Sequence, residues 1–507
     1  MRSVVVLLAA ALGAGLVPAS PATASPATAS PGVVRTDAGL VRGTSDGTLR
    51  LFRGIPFARP PVGSLRWRAP RPVRPWHGVY DATAPRSQCA QIAPVYGGST
   101  TYDEDCLYLN VSAPERPHGR LPVMVWLHGG ANLTGSGSSY DTSALVRDGS
   151  VVVVTVNYRL GVFGWLAHPA FESSEPGLQA GNYGLLDQQA ALRWVRHNAA
   201  AFGGDPGNVT LFGESAGAAD TCASLVSPTA AGLFHKVIMQ SYSCTFPART
   251  VAAAEQDAVR VASSAGCADA GCLRGLPAKT LVDRFAALSG STGPVAGGDG
   301  VLPRQPADAI ARGRFNRVPV MHGNNLDEMR LYVALFYPQP ITAARYEAIV
   351  LSTYGSEVLA RYPAARYPEP RIALATIETD FGGPLSTCTH LDAYRLLADA
   401  RVPVYAYQFA DRGAPPLIDV PGFDEGAEHA TELTFLWPGL LGALDGPQQR
   451  LAARMVGYWT SFAHKGRPAG WPRFHDADDV LGLAPGHVGT VDIARQSNCA
   501  FWSGLSG

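Results

Sequence analysis

No sign of charge dominates this 507-residue chain, in which 41 lysines and arginines face 41 aspartates and glutamates. That balance removes the electrostatic pull toward nucleic acid or an anionic membrane. Beyond the N-terminal residues no run is long and apolar enough for a transmembrane helix, so no stable membrane span is expected. No internal repeat is visible, and no Pro/Ser-rich or charged linker interrupts residues 32–507. Length alone would suggest two or three domains. The missing linker favours one large, insertion-rich domain instead.

What is present begins at the N-terminus. Met1-Arg2-Ser3 leads into the apolar run Val4–Leu12, and Ala-Thr-Ala follows at 22–24 and again at 27–29. This pattern reads as a secretory signal peptide over 1–24, with cleavage after Ala24 or Ala29. Residues 25–31 read as a flexible leader and 32–507 as the folded domain, so a secreted, extracellular protein is expected. Export permits disulfides, and the eight cysteines are an even set. Spacing alone does not choose among the 105 pairings that eight cysteines allow.

Apolar, β-branched runs followed by glycine turns recur at 122–127, 151–156, 209–212, 236–240, 318–321 and 404–409. Helical patterns lie between several of them, the clearest over 185–202, where Leu186, Gln189, Ala190, Leu192, Trp194 and Val195 keep helical spacing. Strands alternating with helices predict an α/β fold, a mostly parallel twisted sheet covered on both faces. Residues 330–400 mix helical patterns with aromatics and are expected to form an inserted cap.

Gly213-Glu214-Ser215-Ala216-Gly217 falls between the apolar run 209–212 and the small-residue stretch 218–223. That reads as strand, sharp turn and helix, with a serine at the apex. The Ala216 N–H then sits at a helix N-terminus, where an anion is favoured. The same Gly-x-Ser-x-Gly spacing occurs at Gly43-Thr44-Ser45-Asp46-Gly47, but no helix follows. That copy reads as a hairpin turn.

A serine at its ordinary pKa needs a base, and the base needs a carboxylate to orient it. On a sheet of this kind the chain order is nucleophile, acid, base, each on a loop after a later strand. The loop after 318–323 carries adjacent Asp327 and Glu328, and the chemistry leaves both open. His429 follows a glycine-rich loop after strand 404–409 and is the expected base. His77, His118, His197, His464, His475 and His487 fall in polar or helix-end settings, and His128 precedes the nucleophile in a glycine turn. The strand running into His128-Gly129-Gly130-Ala131 suits a second oxyanion element. Gly130 and Ala131 would supply N–H groups beside that of Ala216, with Gly129 shaping the turn.

Several longer segments occur in a telling order: Phe52–Ala58, Glu104–Asn110, His128–Gly130, Asn157–Gly161, Gly181–Gln189, Phe202–Pro206 and Gly213–Gly217. On these the chain resembles the type-B carboxylesterase/cholinesterase family of α/β-hydrolases over essentially its whole mature length. The resemblance implies Glu328 as the acid and His429 as the base. Met329 stands where the family usually has glycine after that glutamate, and Ala131 stands where the oxyanion turn often has a third glycine. The resemblance also implies disulfides Cys89–Cys106, Cys267–Cys272 and Cys388–Cys499. Cys222 and Cys244 are then left to each other or free, since the family's eukaryotic pattern supplies no such pair.

The implied activity is hydrolysis of small to medium carboxylic esters through an acyl-enzyme, with no metal or organic cofactor. A small-molecule ester is the expected partner; oligomeric state stays open, with a monomer as the working expectation. A lipase or sterol-ester hydrolase is the alternative within the family. A cholinesterase, an amidase or a binding domain without catalysis is a more distant one. Cholinesterases hold a cation over a tryptophan in the first disulfide loop, whereas residues 90–105 offer Tyr96 and Tyr102 but no tryptophan. Glu214, flanking the nucleophile, is read as assisting a cationic substrate, tuning His429 or binding water. Small residues over Ser289–Gly293 predict a roomy acyl pocket.

Overall fold

A computed structural model describes residues 32–94, 97–174, 181–288, 290, 292–298 and 300–505. The signal peptide and leader read over 1–31, together with Tyr96, Ser289 and Ser291, lie outside the described residues.

The central sheet has eleven strands: β1 (Thr44–Ser45), β2 (Leu49–Pro56), β3 (Tyr108–Pro114), β4 (Leu121–Leu127), β5 (Val152–Val156), β6 (Gly204–Glu214), β7 (Lys236–Gln240), β8 (Val320–Asn325), β9 (Val404–Phe409), β10 (Val480–Ala484) and β11 (His487–Val491). They lie in the order β11-β10-β9-β8-β7-β6-β4-β5-β3-β2-β1. Pairing is parallel from β5 through β10 and antiparallel at both edges. Side-chain alternation sends Val123, Val125 and Leu127 of β4 to one core and Met124 and Trp126 to the other. Helices α1 (Tyr183–Asn198) and α2 (Ala216–Val226) pack in the first core, and α3 (Gly446–Lys465) in the second. A capping box at Asp445 and Gln448 starts α3, and Gly466 in a left-handed conformation ends it.

The helical pattern predicted over 185–202 becomes α1 followed by a single 3-10 turn, Ala199–Phe202. Strand β8 begins two residues inside the expected 318–323 and runs two residues past it, its continuation Asn324 and Asn325 being fully buried despite their polarity. Between β8 and β9 the chain forms five α-helices, Arg330–Phe336, Ala343–Thr353, Ser356–Arg361, Pro370–Asp380 and Thr387–Asp399, and one 3-10 turn, Ala364–Arg366. All four disulfides are formed, Cys222–Cys244 included. Among the described residues no helix is long and apolar enough to cross a membrane.

Candidate active site

Strand β6 ends and α2 begins with no connecting loop, so Ser215 alone absorbs the change of direction at φ 54° and ψ −122°. A non-glycine residue rarely adopts that conformation, and it persists only where its surroundings over-determine it. Here they do. The Ser215 N–H donates to the Gln240 carbonyl at 2.8 Å. Gly213 and Gly217 press on each other and on the Leu127 carbonyl so closely that neither has room for a Cβ.

Three loops at the C-terminal ends of the parallel strands meet at this serine. His429 Nε2 lies 2.9 Å from Ser215 Oγ, and its Nδ1 lies 2.7 Å from Glu328 Oε2. The other oxygen of Glu328 accepts the Asn325 N–H at 2.7 Å, so the carboxylate is fixed at both ends. Both Glu328 and His429 are buried. The neighbouring Asp327 turns away: it takes a two-pronged contact from Arg412 at 2.8 and 2.9 Å and pairs with Arg330 at 3.2 Å. Of the two carboxylates left open by the sequence, Glu328 is the one that reaches His429.

The N–H groups of Gly130, Ala131 and Ala216 make no hydrogen bond among the described residues, and the carbonyl on the other side of each peptide explains their direction. In a planar trans peptide C=O and N–H point opposite ways. Gly129 O lies 2.9 Å from His128 Nδ1, Gly130 O accepts from Leu133 and Thr134, and Ser215 O accepts from Ala218 and Ala219. Burial pushes the His128 imidazole down to about 4, so it stays neutral and Nδ1–H serves as the donor. Its ring stacks on Tyr158, whose hydroxyl donates to the His128 carbonyl at 2.6 Å. Gly129 has no room for a side chain because the Glu214 carboxylate and Ser215 Cβ lie against it.

Glu214 is buried with Oε1 3.1 Å from His429 Nε2. Burial pushes its carboxyl up to about 8, against the pull of His429 and with added repulsion from Glu432 and Glu328. Burial opposes the charged form of His429, but Tyr332, Glu214 and Glu328 outweigh it and hold the imidazole well above its ordinary range. Glu432 itself bonds to Gln240 at 3.0 Å and Asn325 at 2.8 Å. Sequence reading did not single out Glu432, nor Asn132 and Asp220, which join at 3.2 Å beside the Gly129–Ala131 turn. Burial pushes Asp220 up to about 7, opposed by amide bonds from Gln188 and Asn132.

Ser215 opens into a cavity of about 480 Å³, whose walls include Ala219, Cys222, Tyr242 and Phe246. Met329 and Tyr332 line it from one end of the helical insertion, and Gly383, Pro384 and Leu385 from nearer the other. Thr292 and Gly293, the described part of the predicted acyl-pocket stretch with Gly290, also face it. A second cavity of about 520 Å³ lies along Gly130 and Ala131 and is walled by Leu133, Val162 and Phe285. Tyr102, in the first disulfide loop, carries the Lys279 ammonium over its ring at 5.2 Å. Among the described residues no group of three or more His, Cys, Asp or Glu side chains is arranged to hold a metal ion.

Comparison with known proteins gives one answer by sequence and by structure. Residues 30–502 match the carboxylesterase family. The chain is 35% identical over 502 residues to a fumonisin B1 esterase of Sphingopyxis macrogoltabida, covering 93% of this chain and 89% of the relative. It is 35% identical over 481 residues to the para-nitrobenzyl esterase of Bacillus subtilis, covering 88% and 93%. The solved carboxylesterase of Geobacillus stearothermophilus superposes with a TM-score of 0.79 at 32% identity, covering 92% of this chain and 99% of that one. A solved PNB esterase gives 0.76 at 32%, covering 92% and 100%. The chain belongs to the carboxylesterase family, as a type-B carboxylic ester hydrolase with the α/β-hydrolase fold.

Proposed function

We propose that this enzyme is a secreted serine esterase that works through a Ser215–His429–Glu328 triad and an acyl-enzyme. The observation that carries the reading is the continuous hydrogen-bonded chain from Ser215 Oγ through both ring nitrogens of His429 to Glu328. His429 takes the hydroxyl proton as Ser215 Oγ attacks the ester carbonyl carbon, and Glu328 stabilises the imidazolium that results. The carbonyl oxygen, now carrying the negative charge, accepts from the N–H groups of Gly130, Ala131 and Ala216. Each such donor is typically worth about 100–1,000-fold in rate. Collapse of the tetrahedral species expels the alcohol, which takes its proton from Nε2. Water then enters, gives a proton to His429, and releases the acid as the proton returns to Ser215.

Residues 1–24 act as the export signal with cleavage after Ala24 or Ala29, 25–31 as a leader, and 32–507 as one catalytic domain. Disulfides suit such a destination. Small to medium esters are the substrates, in keeping with the cavity volumes and with relatives whose names cite para-nitrobenzyl, fumonisin B1 and cocaine esters. Stopped-flow hydrolysis of para-nitrophenyl butyrate tests the mechanism. A nitrophenol burst of one equivalent, with the butyryl group recovered on the peptide containing Ser215, is expected. An acyl group found on another residue would overturn the assignment.

A further inference from the structure

Gly130, Ala131 and Asn132 have φ of 101°, 55° and 57° in succession. Two of the three are not glycine, and side chains disfavour this region. A turn of this shape relaxes unless bonds hold it. Two bonds tie it to other loops: Thr292 Oγ1 donates to the Ala131 carbonyl at 2.5 Å, and the Gly161 N–H donates to the Asn132 carbonyl at 2.8 Å. Neither reaches the helix that carries Ser215 and Ala216.

Asn132 Nδ2 does, donating to Asp220 Oδ1 at 3.2 Å. Asp220 stands four residues after Ala216 on α2, hence on the same helix face. Its second oxygen accepts from Gln188 Nε2 of α1 at 2.6 Å. Asp220 and Gln188 are fully buried, and no cation among the described residues pairs with the carboxylate. A buried carboxylate without a counter-ion weakens a fold, and an apolar side chain would serve packing better. Its worth must lie in what it holds.

We propose that Asp220 is a positioning residue for the oxyanion hole. Through Asn132 it sets the Gly130 and Ala131 N–H groups at the right separation from the Ala216 N–H, joining two halves of one site that belong to different chain segments. This rests on the esterase mechanism proposed above.

The test compares Asp220→Ala, Asp220→Asn, Asn132→Ala and the double alanine variant on a para-nitrophenyl ester. It also measures inhibition by an alkyl trifluoromethyl ketone, which becomes an anionic hemiketal on the serine, and by the methyl ketone of the same length. Asp220→Ala is expected to lower kcat about 10–100-fold with KM nearly constant. Trifluoromethyl ketone affinity should fall by the same factor and methyl ketone affinity should not. The double variant should be no worse than either single, since both cut one link. Additive losses, or unchanged trifluoromethyl ketone affinity in variants with lowered kcat, would overturn the proposal. Should Asp220→Ala not fold, Asn132→Ala carries the same comparison, while Asp220→Asn, whose carbonyl oxygen can still accept from Asn132, should keep kcat near the parent's. Failure of the underlying mechanism would look different: the unsubstituted enzyme would itself show no preference for the trifluoromethyl ketone.

Discussion

Two stretches of this molecule share the pattern Gly-x-Ser-x-Gly, and they use it for opposite ends. At 43–47 the serine closes strand β1, its hydroxyl donates to Glu115 at 2.7 Å on the surface, and Gly47 turns at φ 86° with open space around it. At 213–217 the serine takes the positive φ itself, while Gly213 and Gly217 keep ordinary angles and are glycines because backbone crowds them. The acids differ in the same way. Asp46 is exposed, and bonds from the Thr48 side chain and from the N–H groups of Leu49 and Thr48 hold it well below 3.8. Glu214 is buried and pushed up. The first copy leaves its serine and acid in solvent, although Gly43 is itself crowded by the Leu51 carbonyl; the second stores strain and desolvation beside a hydroxyl. Burial and backbone conformation, rather than the pattern, separate a surface turn from a buried elbow.

Removing each serine is the severest way to break the comparison. Ser215→Ala should lower kcat at least about 1,000-fold, whereas Ser45→Ala should leave kcat and melting temperature where they were. Next come the glycines. Gly217→Ala drives a methyl group into the Leu127 carbonyl and should cost about 3 kcal/mol in urea unfolding, against roughly 1 kcal/mol for Gly47→Ala, which meets only the φ penalty.

The acids offer the finest distinction. The negative form of Glu214 raises the pKa of His429, so Glu214→Gln should move the acid limb of kcat/KM to lower pH, and an unmoved limb would show that Glu214 carries its own proton there. Melting temperatures should show slopes of opposite sign. Glu214 titrates near 4.5 unfolded and about 8 folded, so the folded state binds the extra proton and stability falls as pH rises through that window. Glu214→Gln should therefore gain on the parent enzyme as pH climbs. Asp46 contributes stability that is present above 3.8 and lost as pH falls below it. The parent's advantage over Asp46→Asn should shrink only in acid.

Much of this was legible in the chain. The strand-turn-helix context singled out Ser215, chain order singled out His429, and strand periodicity gave the parallel sheet. Asp327 and Glu328 were not separable, because what removes Asp327 is Arg412, 85 residues away in sequence. Strand β8 was read two residues short because Asn324 and Asn325 look like loop residues in sequence, whereas they are buried and paired with the neighbouring strand. Asp220 and Asn132 carry no local signal at all: one sits in a small-residue helix and the other in a glycine turn, and only their meeting makes them a unit.

The Cys222–Cys244 bond has a bearing beyond the site it lines. It links the helix behind Ser215 to the segment following β7, and it encloses the surface-exposed Pro228, Thr229, Ala231 and Gly232. A protease that cut this bend would release nothing, because the Cys222–Cys244 bond still joins the two pieces, one ending in the bend and the other beginning there and carrying β7. Nicked and intact enzyme should then differ on a reducing gel and hardly at all in the reaction they carry out, a form of damage tolerance placed beside the helix that follows Ser215.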